Sequence, residues 1–204
     1  MDTSSVKSAI HIISSSLEIP AIIVLILAVV IVVSQIGSVM IEFFTERMGK
    51  NPNVTKVLEN ISGKERTQIL EIINANPFQK SQKRAFARFL QSDIISVDEQ
   101  KLFAVQLLSE TESRLDRRIA VTDIIARIGP MFGLMATLIP LGPGLIALGQ
   151  GDTRTLSDSL LTAFDATVAG LAAAGVAYII SKIRKRWYQS DMMAMETILE
   201  GVIR

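Results

Sequence analysis

Four polar side chains stand inside stretches of this sequence that otherwise carry no charge: Thr137 in one, and Thr162, Asp165 and Thr167 in another. A hydroxyl both donates and accepts a hydrogen bond, so hydroxyls along an apolar passage can relay a proton or hold a carboxyl group that carries one. Asp165 can itself take up and release a proton. An ionisable group inside a membrane span is costly, which makes it a functional candidate by default. The plainer role for each threonine is a bond from its hydroxyl to a carbonyl of its own helix. Helical geometry sorts the four residues. Asp158, Thr162 and Asp165 follow at spacings of four and three and share a face. Thr167 lies two positions from Asp165, about 200° around a helix, and faces elsewhere.

The elements that hold these residues are long and apolar. Residues 19–41 lie between Glu18 and Glu42, residues 128–151 between Arg127 and Asp152, and residues 159–181 between Asp158 and Lys182. At roughly 1.5 Å rise per residue, each helix crosses a hydrocarbon core of about 30 Å. The expected fold is an all-α integral membrane protein with three transmembrane helices and long helices extending into a cytoplasmic helical domain. Its segments are an outer amphipathic or disordered stretch (1–17), a first span (18–41), a cytoplasmic helical insert (42–127), a second span (128–149), an outer loop (150–157), a third span (158–181) and a cytoplasmic tail (182–204). A cleaved signal peptide is the competing reading of the first span. Only Lys7 precedes that span as a positive charge, and no clear A-x-A site follows it, so a retained helix is expected.

Composition narrows the function. The chain is 49% hydrophobic, with a mean hydropathy of +0.39, no cysteine and a single histidine, His11. Disulfides, thiolate metal ligands and a histidine-based triad or zinc cluster within one chain are thereby excluded. No enzyme activity, metal or cofactor is expected, and a net charge of +1 gives no reason to expect nucleic acid. Orientation follows from the distribution of the 21 Lys and Arg residues. Fourteen lie between the first and second spans and five after the third, which places the insert and the C-terminus in the cytoplasm and the N-terminus outside. The run Lys182, Arg184, Lys185, Arg186, Trp187 and Tyr188 reads as an anchor in the lipid headgroup region.

Within the insert, short helices are expected near 53–61, 64–75 and 78–91, with capping boxes at Ser62–Glu65 and Ser96–Glu99 and a break at Asn76-Pro77. Glu99 to Arg127 contains neither proline nor glycine, so one helix is expected to run from about residue 97 into the second span. Pro140, Gly142, Pro143 and Gly144 suggest kinking or unwinding late in that span. Helices gain little in lipid from burying apolar side chains, and small residues let backbones approach closely. Gly129 and Gly133 in the second span, and Ala166, Gly170 and Ala174 in the third, mark two helices built to pack on helices. The Ile-, Val- and Leu-rich first span is built to face lipid. Three helices offer the other two few partners, which implies a homo-oligomer.

Two segments carry a family resemblance. Ala126-Arg127-Ile128-Gly129-Pro130-Met131-Phe132-Gly133-Leu134-Met135-Ala136-Thr137-Leu138 resembles the I-A-P-x-x-G-L-x-G-T-V segment of the MotA/TolQ/ExbB proton channel family. Leu160-Leu161-Thr162-Ala163-Phe164-Asp165-Ala166-Thr167-Val168-Ala169-Gly170-Leu171-Ala172-Ala173-Ala174 resembles its E-A-L-x-x-T-A-x-G-L-x-A-A segment. The resemblance covers about residues 97–185 and implies a ring of five subunits in a cell (inner or plasma) membrane. Their second and third helices would line a lumen holding two single-span helices of an ExbD- or TolR-like partner, whose aspartate carries the proton. It implies lumen-facing roles for Thr137 and Thr167 and packing roles for Pro130, Gly133 and Gly170. Thr162 stands where many relatives have a glutamate, Ala136 and Pro140 where they usually have glycine, and Asp165 belongs to no motif of the family. The insert size and the three spans favour the ExbB/TolQ-like branch.

The expected function is therefore that of a stator subunit coupling proton-motive force to mechanical work by its partner. Two alternatives stand beside it: a self-contained homo-oligomeric channel using Asp165, and a non-conducting membrane scaffold.

Overall fold

The computed structural model describes residues 3–47, 53–92 and 96–203, and every regular element among them is helical. Residues 1–2, 48–52, 93–95 and 204, which belong to the expected N-terminal, insert and tail segments, lie outside the described residues. The helices are α1 (Thr3–Ser16), α2 (Glu18–Glu42), α3 (Val54–Ile61), α4 (Arg66–Ala75), α5 (Lys80–Leu90), α6 (Val97–Gly149) and α7 (Thr153–Ile203), with a π-helical turn at Phe43–Arg47. Three helical stretches are long and apolar enough to cross a membrane: Ser8–Thr45, Val97–Gly149 and Thr153–Ile203. The chain forms two compact units, Met1–Gly37 with Val121–Ser181, and Ser38–Ala120 with Lys182–Arg204.

In the first unit, α2 lays one stripe against the other two long helices. Ala21 and Leu25 are buried with Ala136, while Ala28 and Val32 are buried with Ile125, Ala173 and Ala177. These four positions of α2 repeat at spacings of four and three, the period of a single helical face. Many of its other apolar residues, such as Ile19, Ile23, Ile26, Val30 and Val33, are exposed. Helix α6 stays helical through Pro130, Pro140 and Pro143, so the late proline cluster does not unwind it as the sequence suggested. In α1, Val6, Ile10 and Ile13 are exposed, as is Leu17 just after its end.

Asp152 starts α7. Its carboxylate accepts bonds from the Arg154 N–H (3.2 Å), the Thr155 N–H (3.0 Å) and the Thr155 hydroxyl (2.5 Å), satisfying amides that the first helical turn leaves free. The Thr155 hydroxyl bond, followed by the backbone bonds, holds the Asp152 carboxyl below its ordinary value of 3.8. A lowered folded value means that the cap is at full strength above 3.8 and is lost as pH falls through the lower folded value. Amide exchange at Arg154 and Thr155 should therefore be unchanged between pH 7 and 5 after correction for intrinsic rates, and should accelerate only in more acid solution. Thr155→Val should move that acceleration to higher pH.

The second unit has its own apolar core. Helices α3, α4 and α5 bury Val57, Ile61, Ile73, Phe86 and Phe89 against Leu107 of α6 and Met195, Ile198 and Leu199 of α7. The helices fall within two residues of the expected bounds at each end, but the expected first capping box does not form. Ser62 ends α3, and Glu65 precedes α4 without a side-chain cap bond. The capping box is instead Gln79 with Gln82 at α5. Both glutamines also donate to Asp191, one to its carboxylate (3.0 Å) and one to its carbonyl (3.1 Å), which ties α5 to α7.

A buried ion pair joins the end of α2 to α7 in this unit. The Arg184 Nε donates to Glu42 Oε2 at 3.3 Å and its Nη2 to Ser38 Oγ at 2.9 Å, with the two charged side chains only 5% and 11% exposed. Phe43 stacks on Trp187 at 6.2 Å between ring centroids. Burial, with the Glu42 charge second, holds the nearby Tyr188 phenol above its usual 10.0. Within the expected headgroup anchor, Arg184 and Tyr188 are thus buried, Lys185 and Trp187 half-buried, and Lys182 and Arg186 exposed. Breaking a buried pair from one side strands a charge, so Arg184→Met should lower stability by about 3 kcal/mol. The double variant Glu42→Gln, Arg184→Met should recover part of that loss, as read by thermal unfolding in detergent.

Candidate functional site

The spanning parts of α6 and α7 meet where neither presents a bulky side chain. A Cβ built on Gly170 would stand 2.9 Å from the Gly129 carbonyl oxygen, 3.0 Å from Gly133 Cα and 3.1 Å from Leu25 Cδ2. A Cβ on Gly129 would stand 3.0 Å from Ala174 Cβ and 3.1 Å from the Gly170 carbonyl oxygen. Apart from Leu25 Cδ2, those neighbours are backbone atoms or the Ala174 methyl group, which cannot swing away. Backbone therefore lies on backbone along this seam, the arrangement that stabilises helix pairs in lipid. Ala174 is buried in the first unit, Ala166 packs at the Ala21–Leu25–Ala136 cluster, and Pro130 sits inside α6 beside Gly129.

One turn beyond Gly133 the seam becomes polar. The hydroxyls of Thr137 and Thr167 are hydrogen-bonded to each other, and both side chains are half-buried. Each hydroxyl also reaches a carbonyl of its own helix, Thr137 at Gly133 O (2.9 Å) and Thr167 at Ala163 O (3.1 Å). A hydroxyl has one hydrogen, so the bond between the two threonines leaves a hydrogen for only one of these two carbonyl bonds at a time. Either Thr137 donates to its own helix and accepts from Thr167, or Thr167 donates to its own helix and accepts from Thr137. The two sequence readings of these threonines, back-bonding and relay, therefore coexist. Switching between the arrangements moves one hydroxyl hydrogen in each direction without breaking the helix pair.

Thr162 and Asp165 stand apart from this pair. They line a groove of about 410 Å³ between α2 and α7, with Ile22, Leu25, Ile26, Val29, Val30, Ala166 and Ala169. The Thr162 hydroxyl donates to the Asp158 carbonyl at 3.0 Å. The 200° separation read from the sequence is realised: Asp165 faces the first span while Thr167 faces the second.

A second polar layer lies further along the same seam, and sequence reasoning gave it no role. Thr122 and Ser181 are buried, and the Ser181 hydroxyl donates to Asp123 Oδ1 at 2.9 Å. Arg127 pairs with Asp123 Oδ2 at 3.0 Å. The signal was present in register: Thr122 precedes Gly129 by seven residues and shares its face, while Ser181 follows Ala174 by seven. Between the layers, residues 128–136 and 168–177 contain no polar side chain at all. Among the described residues, no three His, Cys, Asp or Glu side chains converge as a metal site would require.

The seam makes a direct forecast. Gly170→Val places branched carbon against backbone on two sides, and overpacking of this kind costs about 1–3 kcal/mol. The variant should melt earlier in detergent than Gly142→Val, because nothing lies within 4 Å of a Cβ at Gly142.

The sequence model of the MotA/TolQ/ExbB proton channel family matches residues 66–197, more than half of the chain and inclusive of both polar layers. None of the curated proteins compared matches the chain.

Proposed function

The chain belongs to the MotA/TolQ/ExbB proton channel family, and we propose that it is the scaffold subunit of a motor complex driven by proton-motive force. Five copies form a ring in the cell (inner or plasma) membrane, with the N-terminus outside and the C-terminus in the cytoplasm. Helices α6 and α7 of each copy line a lumen that holds single-span helices of an ExbD- or TolR-like partner. The partner's intramembrane aspartate carries the proton, and its movement performs the mechanical work. The ring subunit carries out no covalent chemistry of its own.

The observation that carries this reading is the Thr137–Thr167 pair. It is the one place in the apolar part of the α6–α7 seam with hydroxyls able to meet a carboxyl group in either protonation state: donating when it is ionised, accepting when it is the acid. Lys182 and Arg186, exposed next to the third span, suit headgroup contacts, with Lys185 and Trp187 beside them. The ExbB/TolQ-like branch is favoured by the length of the insert and the three spans.

A second reading rests on Asp165, the carboxylate in the α2–α7 groove. In it, copies of this chain alone conduct ions through a path that uses Asp165.

The two readings separate in one preparation. Affinity purification from native membranes in mild detergent should yield, by native mass, a five-copy complex with extra small single-span chains. Proteoliposomes of that complex should take up protons under an imposed potential, and Thr137→Val with Thr167→Val should slow uptake at least tenfold. A stable monomer would refute the ring. Proton flux from the lone chain, abolished by Asp165→Asn and insensitive to the threonine variants, would favour the second reading instead.

A further inference from the structure

The geometry points to Asp123 as the carboxylate that accepts the proton at the cytoplasmic end of the α6–α7 seam, with Ser181 as the hydroxyl that positions it. This inference rests on the reading above, in which a proton reaches the level of Thr137 and Thr167 from outside and leaves toward the cytoplasm.

From the threonine pair to Arg127 and Tyr178, neither helix offers a polar side chain, a distance of about 15 Å at the rise of an α-helix. A proton does not cross such a stretch on this chain's own groups, so it travels on the moving carboxyl of the partner and needs an acceptor where that stretch ends. The first charged groups reached there are Arg127 and Asp123. A guanidinium can only donate hydrogen bonds. Asp123 is the group that can take a proton.

Its surroundings hold it ready. Ser181 Oγ donates to one carboxylate oxygen and Arg127 Nη2 to the other, at 2.9 Å and 3.0 Å. The Asp123 side chain keeps 28% of its surface exposed, so a proton can enter and leave. Arg127 of α6 is a charged group facing Asp123 and Ser181 of α7 an uncharged one, with the cation Lys182 following Ser181 in the chain, and α2 carries no charge between Glu18 and Glu42. The step balances simply. The carrier's O–H proton passes to an Asp123 oxygen, the carrier is left as the carboxylate, and Asp123 then gives the same proton to cytoplasmic water.

The test uses the complex isolated from native membranes and reconstituted in liposomes, with proton uptake followed by a trapped pH dye under an imposed potential. Asp123→Asn should slow uptake at least tenfold while native mass shows the complex intact. Asp123→Glu should restore more than half the rate with a displaced pH profile. Arg127→Gln removes the counter-charge but keeps the carboxylate, and should slow uptake less than Asp123→Asn does. Ser181→Ala should fall between them. If Asp123→Asn conducts as the parent does, or if Arg127→Gln loses as much as Asp123→Asn, the residue is only a structural clamp and the inference is overturned. If the unmodified complex conducts nothing, the proposed function itself fails, and the assignment of Asp123 falls with it.

Discussion

The contact between backbones at Gly129, Gly133 and Gly170 is the constraint on which the rest of the first unit depends. Where a Cβ would stand 2.9 Å from a carbonyl oxygen, no side chain separates the two helices. That closeness brings two threonine hydroxyls, borne on different helices, into hydrogen-bonding reach of each other. It also fixes the register that stacks the Asp123–Ser181 layer on the same seam. In lipid there is no hydrophobic force to press such helices together, so the contact relies on dispersion between close-packed atoms, which falls off within an ångström of separation. A seam of larger residues would still be a helix pair, but its hydroxyls would be spaced for water rather than for each other.

Much of the architecture was legible in the sequence because each level gave an independent signal. Charge-free runs of membrane length marked the three spans, and glycine spacing marked the two that pack. The helices of the insert were visible to within two residues from periodicity and from the Asn76-Pro77 break. The first capping box was misplaced for a local reason. Ser62 and Glu65 have the right spacing, but the chain turns at Gly63, which takes a φ of 72°, so the serine closes one helix instead of opening the next. The box at α5 was missed because glutamine is a rare N-cap.

The candidate site residues were legible unevenly. The threonines stand out because a hydroxyl is conspicuous among leucine, alanine and glycine. The angular separation of Asp165 from Thr167 follows from 3.6 residues per turn and needs no structure. Arg184 was misleading: in a cationic run beside a span it looks like its neighbours, and only tertiary packing sets it apart. Sequence position cannot reveal that Glu42 would be its counter-charge, because the two meet through the docking of separate helices. Asp123 was passed over because it lies just outside an uncharged run, where one more acidic residue among many attracts no notice.

The Glu42–Arg184 pair has a consequence for how the molecule is made. The partners are 142 positions apart, so the carboxylate leaves the ribosome long before the guanidinium that neutralises it. Until the final helix is synthesised, the end of α2 has nothing to close on. The bond therefore closes only after the last helix has been made. A chain interrupted before residue 184 would still bury the α2 stripe against α6 and α7, but would leave the Glu42 carboxylate without its guanidinium.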